Sequence, residues 1–373
     1  MEYYLSKHGT IPELKEGIQQ VLENLKTKSI LILSCDENKV DRSEISELLK
    51  HYSTPIFGGI YPGIILENQK LSEGTLIVGL PFNAQIQLIK NVSSPDIDFE
   101  KEVAKLHEND FEFKTLTVIV DGFSKRISAL IEALFIVFGL EYSYIGGGAG
   151  SLSMVQKPCV ISNEGVLEDC ALIVGTDAEC GVGVHHGWES IAGPFKITSA
   201  HENTIHSIDF KPAFDVYKAI IHEHSGKELK EENFFDIAKS YPFGINKLGA
   251  EKVVRDPITV KNDSLICVGE VKEGAFIDVL HGNKISLTKA AAMAAKDSQE
   301  NELKEKPDFC VFIDCISRVL FLGDDFIHEL NAVKSADTLL FGTLSIGEIA
   351  NNKKDYLEFY NKTAVVASFK TPT

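Results

Sequence analysis

Positive charge is in short supply in this sequence. It carries 37 Lys and Arg against 54 Asp and Glu, a formal net charge of -17. Such a surface repels phosphate backbones and anionic headgroups, so nucleic acid and membrane are set aside as partners. No apolar run reaches the roughly 20 residues that a membrane-spanning helix needs. The opening Met1-Glu2-Tyr3-Tyr4 lacks the basic and apolar regions of a signal peptide. The expectation is a cytoplasmic protein.

Cysteines number 7, with no Cys-x-x-Cys. Cys35, Cys159, Cys170, Cys267, Cys310 and Cys315 lie in or beside apolar runs, as small core residues kept reduced do. This pattern supports neither a disulfide framework nor a zinc site. No Gly-x-Ser-x-Gly elbow presents a serine nucleophile. Gly146-Gly147-Gly148-Ala149-Gly150 invites a phosphate-loop reading, but no Gly-Lys-Ser/Thr follows and no helix opens there. A tight structural turn is the better reading.

What the sequence has is a repeat. With 373 residues, 44% of them hydrophobic and 24% charged, it can bury a large core in roughly two domains. A glycine-rich stretch recurs at Phe57 to Gly63, Ile145 to Gly150 and Phe341 to Ile349, and more weakly at Phe243 to Gly249. Each is read as a tight turn into which a strand runs and from which a strand resumes. Buried strands precede three of them, at Ser29 to Ser34, Leu116 to Val120 and Phe309 to Asp314. Helices lie between, at Asp41 to Lys50, Ile127 to Phe138 and Phe326 to Val333, where apolar residues follow helical spacing. Thr75 to Gly79 and Ala171 to Gly175 are echoing strands, and Gly181 to His185 is expected to pair with the second. An N-terminal helical lead-in opens at Thr10, with Glu13 completing a capping box.

The third pass, from Phe195, is looser. It contains a helix after Pro212, a linker-like Glu228 to Asn233 and an alanine-rich helix from Leu287 to Ala295. Four strand-helix-strand-strand units predict a layered α/β fold with helices covering mixed sheets. Val118 to Ser124 lines up with Val311 to Ser317, which predicts that Asp121 and Asp314 are equivalent, with Lys125-Arg126 matching Arg318.

The histidines offer little chemistry. His185 and His186 are neighbours on a strand and face opposite sides, so they are poorly placed to chelate one metal. His222 and His224 sit near a helix end and suit its dipole. Cys315, between Asp314 and Arg318, is either a nucleophile whose pKa a cation lowers or a packed strand-end residue. Arg318 and Glu348 stand at strand ends, where open α/β sheets bind ligands. Arg318 can hold a carboxylate by two parallel hydrogen bonds and Glu348 an ammonium; alternatively the two bridge each other.

The chain resembles the FIST family. The resemblance rests on Gly147-Gly148-Ala149-Gly150, Gly187-Trp188 with Gly193-Pro194 and Thr198, and Pro212-Ala213. It continues through Cys315-Ile316-Ser317-Arg318, Gly347-Glu348-Ile349 and Asn361-Lys362-Thr363. The resemblance implies a lead-in over 1–27, a FIST N-terminal domain over 28–225 and a FIST C-terminal domain over 226–373. It implies a cytoplasmic sensory protein that binds a small ligand, such as an amino acid or related metabolite. Its output would pass to a separate kinase, cyclic-dinucleotide enzyme or chemoreceptor, with no cofactor needed. The expected ligand site contains Arg318, Glu348, Cys315, Ser345, Gly347 and Asn361, with Trp188 as a wall. Two alternatives remain open: an enzyme using Cys315 or a carboxylate, and a haem-based nitric oxide sensor.

Overall fold

The computed structural model describes residues 1–108, 111–247, 252–300, 303, 305–351 and 357–372. Strand β1 (Glu2–Ser6) and helix α1 (Ile11–Glu23) precede the repeats. The lead-in is thus a strand and a helix. Thr10 caps α1 by accepting from the Glu13 amide at 3.4 Å. The Glu13 side chain turns instead to the Ser6 hydroxyl and the His8 amide, so β1 is tied to the helix start.

Unit one runs β2 (Ser29–Cys35), α2 (Arg42–Leu49), β3 (Ile56–Tyr61), the hairpin β4 (Gly63–Leu66) and β5 (Gln69–Leu71), then β6 (Thr75–Leu80) and β7 (Ala84–Lys90). After α3 (Phe99–Ala104), unit two repeats the order. It runs β8 (Thr115–Asp121), α4 (Ile127–Phe138), β9 (Ser143–Ala149), the hairpin β10 (Val160–Ser162) and β11 (Gly165–Leu167), then β12 (Cys170–Thr176) and β13 (Glu179–His185).

Unit three departs from the pattern. It has β14 (Glu189–His201), β15 (Thr204–Ile208), β16 (Lys211–Pro212), α5 (Ala213–Ser225), α6 (Phe234–Ala238), β17 (Phe243–Ile245), β18 (Val253–Lys261), β19 (Ser264–Val268), β20 (Phe276–His281) and α7 (Lys284–Glu300). Unit four restores it, with β21 (Phe309–Cys315), α8 (Ile316–Leu322), α9 (Phe326–Val333), β22 (Leu339–Ser345), the hairpin β23 (Glu348–Ala350) and β24 (Glu358–Tyr360), and β25 (Ala364–Lys370).

Units one, two and four each centre a mixed sheet on one parallel pair: β2–β3, β8–β9 and β21–β22. Each pair is extended by its own unit's fifth strand, β6, β12 or β25, antiparallel. The edges come from neighbours. Hairpin β10–β11 of unit two completes the sheet of unit one, β23–β24 of unit four that of unit two, and β4–β5 of unit one that of unit four. The last strands pass the other way. β7 joins the sheet of unit two and β13 that of unit four, while β1 takes the equivalent edge in unit one. The outcome is a ring with approximate threefold symmetry, in which exchanged strands cover each parallel pair's edges. Gly181 to His185 therefore pairs with β25 and not with β12.

The inner faces meet at the ring axis. Leu31, Leu33, Ile119, Ile145 and Ile313 surround a cavity of about 60 Å³, too small for a metabolite. Helices cover the outer faces. The alanines of α7 are explained by β13: an ideal Cβ on Gly183 would lie 1.9 Å from the Ala294 carbonyl oxygen, so small residues let helix and strand touch. The sheet of unit three is antiparallel throughout and closes on itself, because β14 pairs with both β20 and β15. A short turn joins β14 to β15, and a parallel pair would need a longer crossover.

The glycine stretches differ from expectation. Gly58, Gly146 and Gly342 lie inside buried strands β3, β9 and β22, with the turns beyond them. They pair with Ile32, Val118 and Phe312. An ideal Cβ would stand 1.8, 1.8 and 1.7 Å from the carbonyl oxygens of those partners. Only a residue without a side chain fits. The segments do lie side by side: the Gly148 amide donates to the Gly347 carbonyl at 2.9 Å, and that of Gly150 to Ile60 at 2.8 Å. In the weak copy, Leu248 and Gly249 lie outside the described residues.

The glycine register also corrects the expected equivalence of Asp121 and Asp314. Asp121 lies as far beyond Val118 as Cys315 lies beyond Phe312, so Asp121 matches Cys315 and Asp314 matches Val120. One residue of slip turns a strand side chain to the opposite face.

Candidate functional site

Strand β21 ends at Cys315 and the chain enters α8 at once, which carries Arg318 back over the strand end. Arg318 is wholly buried. Its Nε stands 2.8 Å from Asp314, and its guanidinium also pairs with Glu329 on α9. Its remaining donors reach the His186 carbonyl at 2.6 Å and the Leu287 carbonyl at 3.2 Å. One side chain thus ties α8 to α7, α9 and the end of β13. Its counter-ions come from Asp314 and Glu329, not from Glu348.

Glu348 opens β23 and is equally buried. Ser345 donates to it at 2.7 Å and the Thr363 amide at 3.3 Å. Burial pushes its pKa well above the carboxylate range despite these bonds. Cys315 is raised by burial and then by Glu348, so its thiol stays protonated. That weakens the nucleophile reading, which needs thiolate.

Trp188 packs inward. Its indole donates to the Lys362 carbonyl at 3.1 Å, and the Lys362 ammonium sits 5.1 Å from the ring centroid. That ammonium is held by Asp256 at 3.1 Å and by the Lys239 carbonyl at 2.9 Å. His186 is buried beside it, and its Nδ1 accepts the Trp188 amide at 2.9 Å. Burial, then the Arg318 charge, hold His186 down at about 3.

This depression predicts an acid sensitivity. Below about pH 6.5 the unfolded histidine takes a proton that the folded one refuses, so stability falls as pH falls. Between pH 6.5 and 5 the loss is about 2 kcal/mol. Asp314, raised to about 6 by burial against the pull of Arg318, acts with the opposite sign over the same range. The comparison must therefore be with His186→Gln, which keeps an acceptor for the Trp188 amide. Thermal melts from pH 7 to 5 should show the wild type losing stability relative to this variant. Parallel profiles would show that His186 does not carry the effect.

The large cavity lies beside this buried layer. It measures about 880 Å³ and opens where units two, three and four meet. Of the residues expected at the site, Cys315, Gly347 and Asn361 line it. Arg318, Glu348, Ser345 and Trp188 form the supporting layer behind. Gly347 has φ +85, and an ideal Cβ there would meet the Phe359 ring at 2.3 Å, which fixes a close turn at the cavity wall.

Sequence reasoning missed most of the other walls. Unit two contributes Phe123, Lys125 and Arg126 at the start of α4. Unit three contributes Glu202 and Asn203 from the β14–β15 turn, with Glu270 beyond β19. Arg126 donates to the Ser94 carbonyl and rests on the Phe99 ring, 4.9 Å from its centroid. Unit two therefore contributes cations to the lining and unit three carboxylates. The match of Lys125-Arg126 to Arg318 was the one legible signal for the cationic wall; the acidic turn carried none. Among the described residues, no cluster of three or more His, Cys, Asp or Glu side chains could hold a metal.

A family model described as FIST N domain matches residues 29–211, and one described as FIST C domain matches residues 213–351. No curated protein matches the chain.

Proposed function

The chain belongs to the FIST family, whose domains are generally regarded as small-ligand sensory domains in signalling proteins; from that premise we propose that it binds a small polar metabolite in the cavity between units two, three and four. The observation that carries this reading is the cavity of about 880 Å³, with Lys125 and Arg126 on one wall and Glu202 and Glu270 on another. A molecule bearing both charges, as an amino acid does, can bridge them, and apolar side chains between the walls suit the rest of it. A bound ligand would link unit three to the ring and bias their relative position, which is what a sensor has to report. The output partner is a separate kinase, cyclic-dinucleotide enzyme or chemoreceptor, and the protein works in the cytoplasm. Among the described residues no histidine lines the cavity, so a haem there would find no imidazole ligand.

Native mass spectrometry of protein purified from cells tests this. The expected result is a stoichiometric small molecule that denaturation releases. Lys125 is exposed and makes no ion pair among the described residues, so Lys125→Glu should leave the melting temperature in place. It should weaken retention of an anionic or zwitterionic ligand about tenfold, or about 1.4 kcal/mol. Equal occupancy in both proteins would remove the cationic wall from the site.

A further inference from the structure

Among the described residues, one side chain in the cavity lacks a hydrogen-bond partner. Asn361 is 1% exposed and lines the cavity, and neither its amide oxygen nor its amide nitrogen makes a hydrogen bond among the described residues. The backbone around it is held from several sides. Thr363 Oγ1 donates to the Asn361 carbonyl at 2.8 Å. The Trp188 indole holds the next carbonyl, and the Thr363 amide is given to Glu348. The turn is therefore secured without the Asn361 side chain. A buried amide left unpaired is costly unless something completes it.

We infer that Asn361 is the specificity residue of this cavity, and that the ligand presents a carboxamide-type edge to it. An asparagine amide offers a donor and an acceptor side by side. Its complement is a group with an acceptor and a donor at the same spacing: a primary amide, a lactam, or the edge of an aminated heterocycle, as when asparagine pairs with adenine. A carboxylate satisfies only the donor half and sets its second oxygen against the Asn361 carbonyl. Ile316 and Ile346, also in the lining, offer apolar surface to the remainder of such a group. This inference rests on the sensor reading above and adds the ligand class.

Matched amide and acid pairs test it: L-glutamine with L-glutamate, L-asparagine with L-aspartate, and nicotinamide with nicotinate. Each is titrated calorimetrically into the intact protein. In at least one pair the amide should bind tenfold or more tighter than the acid, because a site built for a hydrogen bond rejects the analogue that cannot make it. Asn361→Leu should abolish that preference. Asn361→Ser, a smaller polar change, serves if the leucine variant does not fold. Equal affinity within every pair, binding of neither member of any pair, or a preference that survives substitution would overturn the inference. Acids and amides bound equally well would leave the sensor reading standing, and the search for a co-purified ligand tests that reading separately.

Discussion

Arg318→Met is expected to lower stability by about 3–5 kcal/mol, enough to leave much of the protein unfolded or insoluble at physiological temperature. The reason is what remains behind. Asp314 and Glu329 are both fully buried, and Arg318 is the cation that faces them. Removing it strands two carboxyls shut off from solvent, which must take up protons or break open. Three packing relationships fail together, since the same guanidinium also serves the carbonyls of His186 and Leu287. Chemical denaturation measures the loss. A combined Arg318→Met, Asp314→Asn, Glu329→Gln protein should recover part of it, because neutral amides no longer need a counter-ion. A direct role in holding ligand would give the reverse pattern: weaker binding with an unchanged melt. A single variant that melts within a degree or two of the wild type would sink the structural role.

Gly58→Ala, Gly146→Ala and Gly342→Ala should each cost about 3 kcal/mol or more, and by similar amounts. A methyl at each site would occupy the position of a carbonyl oxygen across the parallel pair, so strands must separate and not merely adjust. Gly226→Ala is the control. It has φ +69 with nothing within 4 Å of an added Cβ, so only conformational strain applies, about 1–2 kcal/mol. Comparable losses at the three sites, well above the control, would reflect their equivalent places in the ring. A tolerated alanine at any one of them would contradict the geometry there.

The fold was legible to the extent that it is local. Apolar runs and helical spacing mark β2, β8, β21, α2, α4 and α9, and the repeat follows from their order. The glycine stretches were visible as a recurring feature but misplaced as turns. Sequence shows that a side chain is missing, not whether a turn or a neighbouring backbone requires it. The slip between Asp121 and Asp314 has a similar origin. Their flanking residues align well by eye, while the register is set by hydrogen bonds to partner strands. Of the expected site residues, Cys315, Gly347 and Asn361 line the candidate cavity, whereas Arg318 and Glu348 are ionisable residues that the core absorbs with partners of its own.

By itself the sequence determined the main helices and apolar strands, the repeated unit and the family, because periodicity and spacing act within one segment. Only the tertiary structure decided which edge each hairpin completes. Strand edges present the same backbone donors and acceptors everywhere, so their pairing depends on the fit of whole units. The cavity was decided in the same way. Its walls come mainly from residues 122–126, 202–203, 267–270, 315–317, 346–347 and 361; the segments at 122–126 and 315–317 belong to the repeat, those at 202–203 and 267–270 do not, and they meet only when the ring closes against the barrel of unit three.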